Sequence, residues 1–523
     1  MRHLQRALRA HQQGDLDQAE RHCTALLRHD PGNFDALHCL GDINYRRGRL
    51  DAALALFQAA LRADLGRADG FASLGLVFHS LRRFKEALIS YEEGLRIAPT
   101  HAELLNRRGV ALLELGRPRE AREDFERVLA ADPGHLDALG NLGNALIRLN
   151  RPADALAAYD RALQSAPANA QLLTNRAVAL RRLDRPHEAL MSVASALAAR
   201  PNFAQARFVQ SVAQLTLGDF AAGWRGYEAR WAVGALASQR RTFTAPLWLG
   251  REPLEGKTIL LHAEQGFGDT IQFVRYAPLL AARGATVVLE VQPPLVRLLS
   301  RMPGVAAVVA RRQPLPAFDF HCPLLSLPLA CATAPATIPA DIPYLAPDPA
   351  DAALVRERLP RQRPLIGLVW AGEPSHDNDL NRSIRLQTLL PLIDRTDVAF
   401  VSLQHEVRDD DAPLLQNRAN VLRLGEEFRD FADAAAAIGA LDAVIAVDTA
   451  VAHLAGAMGK PLFLLLPFAA DFRWLRERQD SPWYPSARLL RQPKFGDWDS
   501  VIETLREELA RTALLPPARK LSA

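Results

Sequence analysis

A 34-residue period over about the first 200 residues constrains the fold of this chain more than any other feature. Alanines carry the period, at Ala19, Ala53, Ala87, Ala121, Ala155 and Ala189. Prolines keep the same step, at Pro31, Pro99, Pro133, Pro167 and Pro201. Glycines and aromatic residues also recur, as Gly41, Gly75, Gly109 and Gly143 and as Phe57, Tyr91, Phe125 and Tyr159. The pattern predicts helical hairpins: small residues let two helices approach, an aromatic ring fills the groove against the next repeat, and proline ends the second helix.

This period resembles the tetratricopeptide repeat (TPR), a helix–turn–helix unit of 34 residues. Six repeats share one register, from residues 1–33 to residues 170–203. A seventh, over about residues 204–236, keeps Gly218 but drifts to Trp224, Tyr227 and Trp231, as terminal repeats that cap or dock often do. Residues 1–236 are therefore predicted to form an α-solenoid of TPR helix pairs.

The concave face of such a solenoid is suited to a protein or peptide partner. The alternative is a scaffold that positions the second part of the chain or mediates self-association. Four asparagines are candidates for an amide ladder on the inner face, or are ordinary polar residues there: Asn106, Asn141, Asn144 and Asn175.

Composition excludes some function classes. The net charge is only +4 and the arginines are spread along the chain, so nucleic acid is not an expected partner. The four cysteines form no CxxC pair, which favours a reduced, cytoplasmic setting. The longest apolar run near the C-terminus, residues 461–470, is too short to span a bilayer, and no transmembrane segment is predicted.

After a predicted linker at 237–255, short apolar runs alternate with helical patterns. The predicted strands are 258–263, 286–291, 305–310, 365–370, 398–404, 421–424, 443–447 and 462–466. A proline-rich stretch separates the third run from the fourth. We therefore expect two Rossmann-like halves, 256–345 and 364–515, with a linker at 346–363, a cleft at the carboxyl ends of the strands, a last helix at 500–514 and a tail at 516–523.

Two strand–helix corners stand out in this region. In HAEQGFGDTIQFVRY, residues 262–276, a glycine-bearing turn ends in Asp269; it lacks the full GxGxxG spacing of a dinucleotide site. In residues 443–467 a strand ends at Asp448, a helix starts at Thr449, and His453 lies on the same helix face as Thr449. A helix N-terminus with free N–H groups suits a diphosphate. On spacing alone, Asp448 is also explained as an N-cap and His453 as a packed core histidine.

Seven motifs in this order carry a more specific resemblance: EQGFGDTIQFVRY, GLVWAG, NRSIRL, SLQ, VDTAVAHLAGAMGKP, FRWL and SPWYP. Together they resemble bacterial TPR proteins with a C-terminal glycosyltransferase domain similar to the lipopolysaccharide heptosyltransferases of glycosyltransferase family 9. The resemblance covers about residues 256–515. It implies a GT-B fold, a nucleotide-sugar donor, a glycan or protein acceptor, and inverting transfer that needs neither a divalent metal ion nor another cofactor.

The resemblance also implies roles for residues. Asp269 corresponds to the general base, and the loop before it would face the acceptor, through Glu264, Gln265, Gly266 and Gly268. The donor site would comprise Arg382, Ser383, Gln404, Asp448, Thr449, His453 and Gly456. The family's donor-loop lysine has no counterpart, so Arg382 or Arg385 would hold phosphate through its guanidinium fork. Gln404 stands where the family has a glutamate, and the sugar and nucleotide stay open.

Two alternatives to an active heptosyltransferase-like enzyme remain. One is a catalytically silent scaffold whose α/β half binds a nucleotide or structures a complex. The other is an enzyme resembling protein O-GlcNAc transferases, which share the TPR-plus-GT-B layout.

Acidic triplets at 377–379 and 409–411 are interpreted as solvated loops, so no metal site is predicted. Domain packing is the favoured role for Trp474, Trp483, Tyr484 and Trp498 over stacking on a base or sugar.

Overall fold

The computed structural model describes residues 2–361, 364–395, 397–416, 418–512 and 514. The chain divides into two compact units, Met1–Ala179 and Leu180–Ala523, and each is described by itself. This division differs from the expected boundary at residue 236, because the last helices of the repeat series belong to the second unit. Among the described residues no helix has the length and apolar character to cross a membrane. The cytoplasmic setting stays a prediction.

Helix pairs recur every 34 residues through both units. The helices of the repeat series are α1 (Arg2–Gln12), α2 (Leu16–Leu27), α3 (Phe34–Arg46), α4 (Leu50–Ala63), α5 (Ala68–Ser80), α6 (Phe84–Ile97), α7 (Ala102–Glu114), α8 (Pro118–Ala131), α9 (Leu136–Arg148), α10 (Pro152–Ser165), α11 (Ala170–Arg182), α12 (Pro186–Ala199), α13 (Ala204–Thr216) and α14 (Phe220–Tyr227). The prolines at 99, 133, 167 and 201 each lie two residues beyond a helix end, as their inability to continue a helix requires. The predicted helix–turn–helix repeats are confirmed.

Glycine–aromatic pairs set the distance between the two helices of a repeat. A Cβ atom at Gly41 would lie 2.6 Å from the ring of Phe57, and one at Gly143 would lie 2.3 Å from the ring of Tyr159. The two intervening pairs have the same geometry. The ring therefore fills the gap within its own repeat, in addition to the predicted packing on the next repeat.

The predicted amide ladder forms in pairs within the first unit. The side-chain amide of Asn141 donates to Asn106 at 3.0 Å, and that of Asn175 donates to Asn144 at 2.9 Å. Each pair joins adjacent repeats, so the amides stabilise the stack of helices, and the protein or peptide partner of the concave face stays a prediction.

The second unit contains two sheets in which every named strand pair is parallel. The strands are β1 (Thr258–His262), β2 (Thr286–Val291), β3 (Val305–Ala310), β4 (Phe320–Pro323), β5 (Leu365–Val369), β6 (Ala399–Ser402), β7 (Val421–Arg423), β8 (Ala443–Val447), β9 (Leu462–Leu466) and β10 (Ala487–Arg491). The first sheet has the order β3-β2-β1-β4 and the second β7-β6-β5-β8-β9-β10. Both follow the Rossmann order, which reverses direction between β1 and β4 and between β5 and β8. The α/β prediction is confirmed, while β4 and β10 are strands that the sequence analysis missed.

Short helices connect these strands. They are α15 (Gly234–Ala237), α16 (Phe267–Phe273), α17 (Ala277–Ala282), α18 (Val296–Leu299), α19 (Leu327–Ala330), α20 (Pro349–Arg358), α21 (Asp379–Arg382), α22 (Leu386–Ile393), α23 (Ala412–Leu415), α24 (Phe431–Ala440), α25 (Ala450–Ala457) and α26 (Trp498–Arg511). The expected linker at 346–363 holds α20, which packs against α24. The expected tail at 516–523 lies outside the described residues.

The helices α13 and α14 share one hydrophobic core with both sheets. Trp224 is buried and meets the ring edges of Phe273 and Phe472 at centroid distances of 5.9 and 5.6 Å. The seventh repeat thus packs its aromatic residues on the α/β region, which explains why it belongs to the second unit.

Candidate functional site

The reversal of strand order in each sheet is the place where α/β folds bind ligands, outside the carboxyl ends of the strands. The two predicted corners lie at these positions, since one follows β1 and the other follows β8. They are also in contact, because a Cβ atom at Gly268 would lie 2.8 Å from the ring of His453. The structure therefore brings together the two corners that the sequence analysis singled out.

Asp269 occupies the third position of α16, whose N-cap is Gly266. Its Oδ2 accepts a hydrogen bond from the Gly266 backbone N–H at 2.9 Å, as a carboxylate in the first turn of a helix commonly does. Its Oδ1 is paired with the guanidinium of Arg473. The side chain of Asp269 is 18% exposed, and both of its oxygens are engaged.

The loop before Asp269 is largely fixed by packing. Glu264 is only 2% exposed; Arg230 donates to it at 3.1 Å and the Leu325 N–H at 3.2 Å. Burial, partly offset by Arg230, raises the pKa of Glu264 to about 7. The Gln265 amide donates to the Tyr227 hydroxyl at 3.2 Å. Glu264 therefore lies in the interior, and Gly266 is the exposed member of the predicted acceptor loop.

At the second corner, Asp448 lies between β8 and α25. The N-cap of α25 is Thr449, so the interpretation of Asp448 as a plain N-cap is wrong. The Thr449 hydroxyl donates to the carbonyl of Val447 at 3.2 Å instead of capping the helix. Burial and the neighbouring Asp471 raise the pKa of Asp448 to about 6. The carboxyl group is 17% exposed and belongs to a cluster of charges.

His453 is packed rather than open. Its Nδ1 shares a hydrogen bond of 2.9 Å with the Tyr484 hydroxyl, and its ring stacks on Trp474 at 5.3 Å. Burial lowers the pKa of His453 to about 3, so the ring is neutral near pH 7 and its 3.8 Å approach to Asp448 is not an ion pair there. Gly456 packs on the same Tyr484, where a Cβ atom would lie 2.5 Å from the ring. The geometry is that of the core-histidine alternative.

Arg382 bridges the reversal point of the second sheet. It follows β5 and donates from Nη1 to the Asp448 carbonyl at 3.0 Å. Its buried Nε has no hydrogen-bond partner in the part of the chain that the structure describes. Gly372 makes room for this guanidinium, because a Cβ atom there would lie 2.5 Å from Nη2. Of the two candidate arginines, Arg382 is the one beside Asp448, whereas Arg385 is exposed before α22.

The other two predicted donor residues hold loops in place. The Ser383 hydroxyl accepts from the Gly372 N–H at 2.9 Å and donates to Asp379 at 2.6 Å. The buried Gln404 amide bonds both the N–H and the carbonyl of Ala371, at 3.2 and 3.0 Å. These contacts shape the loop after β5 and use the polar atoms that the sequence analysis assigned to the donor.

Arg473 is a site residue to which the sequence analysis gave no role. It lies in a short turn, Phe472–Trp474, after β9. Besides Asp269 it contacts Gln272 at 2.8 Å through Nε and Asp471 at 2.7 Å through Nη1. The sequence gives one indication of this role, the motif FRWL directly after Asp471. In this motif the arginine lies close to an acidic residue and next to an aromatic one.

The acidic triplets are not simply solvated, which corrects the expectation for two of their members. Asp379 is buried and paired with Arg408, and Asp411 is buried and accepts from the Trp370 indole N–H at 2.8 Å. Among the described residues no group of three His, Cys, Asp or Glu side chains is arranged to hold a metal ion. The aromatic residues Trp474, Trp483 and Tyr484 are buried, as the packing interpretation predicts.

A separate cleft of about 580 Å³ lies beside the first sheet. Its lining includes Trp231, Phe243, His262 and His321 and the segment 240–247. It does not include Asp269, Arg382, Asp448 or Arg473. We assign the candidate site to the meeting of the two corners, because that is where the charged groups converge.

Sequence comparison identifies tetratricopeptide repeats at residues 4–68, 68–101 and 106–170. The chain is also similar to protein FlbA of Caulobacter vibrioides (strain ATCC 19089 / CIP 103742 / CB 15), with 27% identity over 322 residues. That match covers 57% of this chain and 53% of FlbA, so the chain spans about half the length of this curated relative.

Solved structures of TPR proteins are also similar to part of the chain. YrrB, a TPR protein with an unusual peptide-binding site, shares 21% identity with a TM-score of 0.31; the match covers 35% of this chain and 95% of YrrB. A TPR protein from Parabacteroides merdae ATCC 43184 shares 19% identity with a TM-score of 0.39, over 45% of this chain and 92% of that protein. PilF of Pseudomonas aeruginosa shares 20% identity with a TM-score of 0.37, over 40% of this chain and 95% of PilF. The chain thus carries TPR repeats in its N-terminal part, followed by a region with two parallel sheets.

Proposed function

We propose that the two sheets form a GT-B glycosyltransferase that moves a sugar from a nucleotide-sugar donor to a glycan or protein acceptor. The observation that carries the proposal is the convergence of Asp269, from the first sheet, with Arg473 and Asp448, from the second. The TPR repeats would recruit the acceptor or another protein partner. The resemblance to family 9 enzymes supplies the reaction class, and the geometry supplies the groups that it needs.

In the proposed reaction, the acceptor hydroxyl oxygen forms a bond to the anomeric carbon of the donor sugar. The bond from that carbon to the diphosphate oxygen breaks, and the nucleoside diphosphate leaves with the bonding electrons. Asp269 takes the proton of the acceptor hydroxyl. Arg382 and the N-terminus of α25 at Thr449 stabilise the charge on the departing diphosphate. Arg382 is suited to this role because its side chain is 15% exposed and its Nη1 already lies beside Asp448.

His453 has a supporting role in this scheme. A neutral, buried imidazole bonded to Tyr484 cannot donate a proton to the leaving group near pH 7. Its contact with Gly268 fixes the distance between the two corners. We therefore assign proton transfer to Asp269 alone.

The test is Asp269→Asn in the full chain. We expect this variant to bind nucleoside diphosphates, seen as an increase in melting temperature with ADP, UDP, GDP or CDP, and to lose transfer from the matching nucleotide sugar. Asp410→Asn is the matched control, since Asp410 is exposed and lies outside the cluster. Turnover at the wild-type rate in Asp269→Asn would remove Asp269 from the base role.

A second candidate function is a silent scaffold with a nucleotide-binding half. The observation in its favour is that both oxygens of Asp269 are already engaged. A wild-type melting temperature that rises with one of the four nucleotides, with no transfer from the matching nucleotide sugar, would favour this scaffold over an enzyme.

A further inference from the structure

Arg473 joins the candidate base to the candidate donor site. Its guanidinium is only 10% exposed and is held from three sides, by Asp269, Asp471 and Gln272. An arginine has five N–H donors. Three of these donors are used, and the low exposure of the guanidinium leaves little room for a further acceptor while Asp269 stays bound.

The charges of the cluster are close to balanced while no donor is bound, because the charge of Arg181 also acts on Asp471. Three carboxyl groups, of Asp269, Asp448 and Asp471, lie around the two guanidinium groups of Arg382 and Arg473. The charge of Arg473 acts on Asp448 and on His453 as well, which places it within electrostatic range of the helix N-terminus at Thr449. A diphosphate that arrives there adds negative charge beside a cation now paired with the base.

Resting on the function proposed above, we propose that Arg473 is a positioning residue that couples donor binding to release of the base. In the donor-free protein Arg473 holds Asp269. A diphosphate competes for the same guanidinium, and Asp471 keeps that guanidinium in the cluster during the exchange. Asp269 then loses its cationic partner, and its Oδ1 becomes free to accept the proton of the acceptor hydroxyl. The base becomes active only when the donor is present.

This coupling makes a reciprocal prediction for binding, which needs no turnover. Removing the charge of Asp269 frees Arg473, so Asp269→Asn binds a nucleoside diphosphate more tightly than the wild type, on the order of fivefold. Arg473→Gln binds it more weakly, by on the order of tenfold. In the double variant the gain in affinity from Asp269→Asn disappears, because the guanidinium of Arg473, through which the gain arises, is absent. Simple repulsion between Asp269 and the diphosphate predicts instead that the gain persists.

The experiment is isothermal titration calorimetry of the full chain with whichever of ADP, UDP, GDP and CDP raises the wild-type melting temperature. Arg478→Gln and Asp480→Asn are the matched controls, because this pair is an exposed Arg–Asp contact in the same segment. We expect both to bind like the wild type. Arg473→Lys, which keeps the charge and loses the fork, is expected to restore part of the affinity lost in Arg473→Gln.

Unchanged or weaker binding by Asp269→Asn would overturn the coupling, and so would a gain that survives in the double variant. Either result leaves the proposed transferase intact. If Arg473→Gln alone fails to fold, the comparison of Asp269→Asn with the wild type decides the question. Absence of binding by the wild type to all four nucleotides would overturn both proposals.

Discussion

The two points where strand order reverses have the same topology and different contents. Between β1 and β4 the space is filled by the buried ion pair of Glu264 and Arg230, with no part of Arg230 exposed. Between β5 and β8 lies Arg382, which is 15% exposed and whose Nε lies 4.0 Å from the carboxylate of Asp379. The same position in a Rossmann sheet thus serves packing in one half and stays available to a ligand in the other.

The origin of the two arginines explains this difference. Arg230 comes from the segment after α14, so the seventh repeat reaches into the first sheet and closes it. Arg382 comes from the loop after β5 and is seated against Gly372 within its own sheet. A sheet closed by a neighbouring element gains stability there, while a sheet that carries its own cation keeps a binding position.

The largest expected effect is on the closed reversal point. Arg230→Met leaves Glu264 buried without its ion-pair partner, which typically costs about 3–5 kcal/mol of folding free energy. We expect urea unfolding of the variant to show a loss of this size, and hydrogen exchange to place it in β1 and β4. Arg225→Met, an exposed substitution on α14, is the control. A loss below about 1 kcal/mol would show that the pair does not close the sheet.

The pH dependence of stability tests the other member of the pair, Glu264. The pKa of Glu264 is raised in the folded protein to about 7 from 4.5. The folded protein therefore holds the proton of Glu264 more tightly than the unfolded chain does. The resulting contribution to the unfolding free energy is fully present below pH 4.5 and is lost as pH rises through 7, by on the order of 3 kcal/mol. Buried His262 and His453, with pKa values of about 3, act in the opposite direction, since they remove stability as pH falls below 6.5.

Glu264→Gln separates these effects, because both proteins share the histidines and only the wild type titrates at residue 264. We expect the difference in unfolding free energy between the wild type and Glu264→Gln to fall between pH 5 and 8. The measurement is urea unfolding at each pH, with the exposed Glu255→Gln as the control. A difference that is flat over this range would mean that Glu264 stays ionised in the folded protein.

Most of this architecture was predictable from the amino-acid sequence, and the exceptions have physical causes. Strands rich in branched apolar residues, such as β2 and β8, were placed at their observed bounds, because a buried parallel strand is a continuous apolar run. The strand β4, with the sequence FHCP, and β10, with ARLLR, carry no such signal. These two segments are strands because they pair in parallel with β1 and β9, which a local sequence pattern does not show.

The candidate site was predictable where it depends on local order and not where it depends on distant contacts. Asp269 and Asp448 follow strands and precede helices, so their placement can be read from a short segment. Arg473 contacts Asp269 from 204 positions along the chain, and no local pattern reports that pairing. Glu264 was expected on an open loop because the seventh repeat was assigned to another domain, and its arginine buries this residue.

Substitution of Arg382, at the open reversal point, is expected to weaken nucleotide binding and to cost less stability than substitution of Arg230. Arg382→Met removes one hydrogen bond to the Asp448 carbonyl and a 4.0 Å contact with Asp379, so it should lower the unfolding free energy by no more than about 2 kcal/mol. Binding of the nucleoside diphosphate that the wild type accepts should fall by about tenfold, which corresponds to about 1.4 kcal/mol. Urea unfolding and calorimetry on one preparation measure both values, with the exposed Arg385→Met as the control. A large loss of stability with unchanged nucleotide binding would show that Arg382 serves packing, as Arg230 does at the other reversal point.

The smallest expected effect comes from Gly372, which seats the Arg382 guanidinium. A Cβ atom there would lie 2.5 Å from Nη2, at the far end of a flexible side chain that can move aside. Gly372→Ala should therefore cost less than about 1 kcal/mol of stability while displacing the cation and weakening nucleotide binding. Gly425→Ala is the contrasting variant, since its Cβ would meet the Gln404 backbone carbonyl at 2.4 Å, which cannot move without disturbing β6, and it should lose stability by more. Thermal unfolding and calorimetry of the two variants compare a glycine that makes room for a mobile cation with one that makes room for the sheet. If Gly372→Ala were the more destabilising of the two, the guanidinium would be a fixed part of the core, and the second reversal point would be closed like the first.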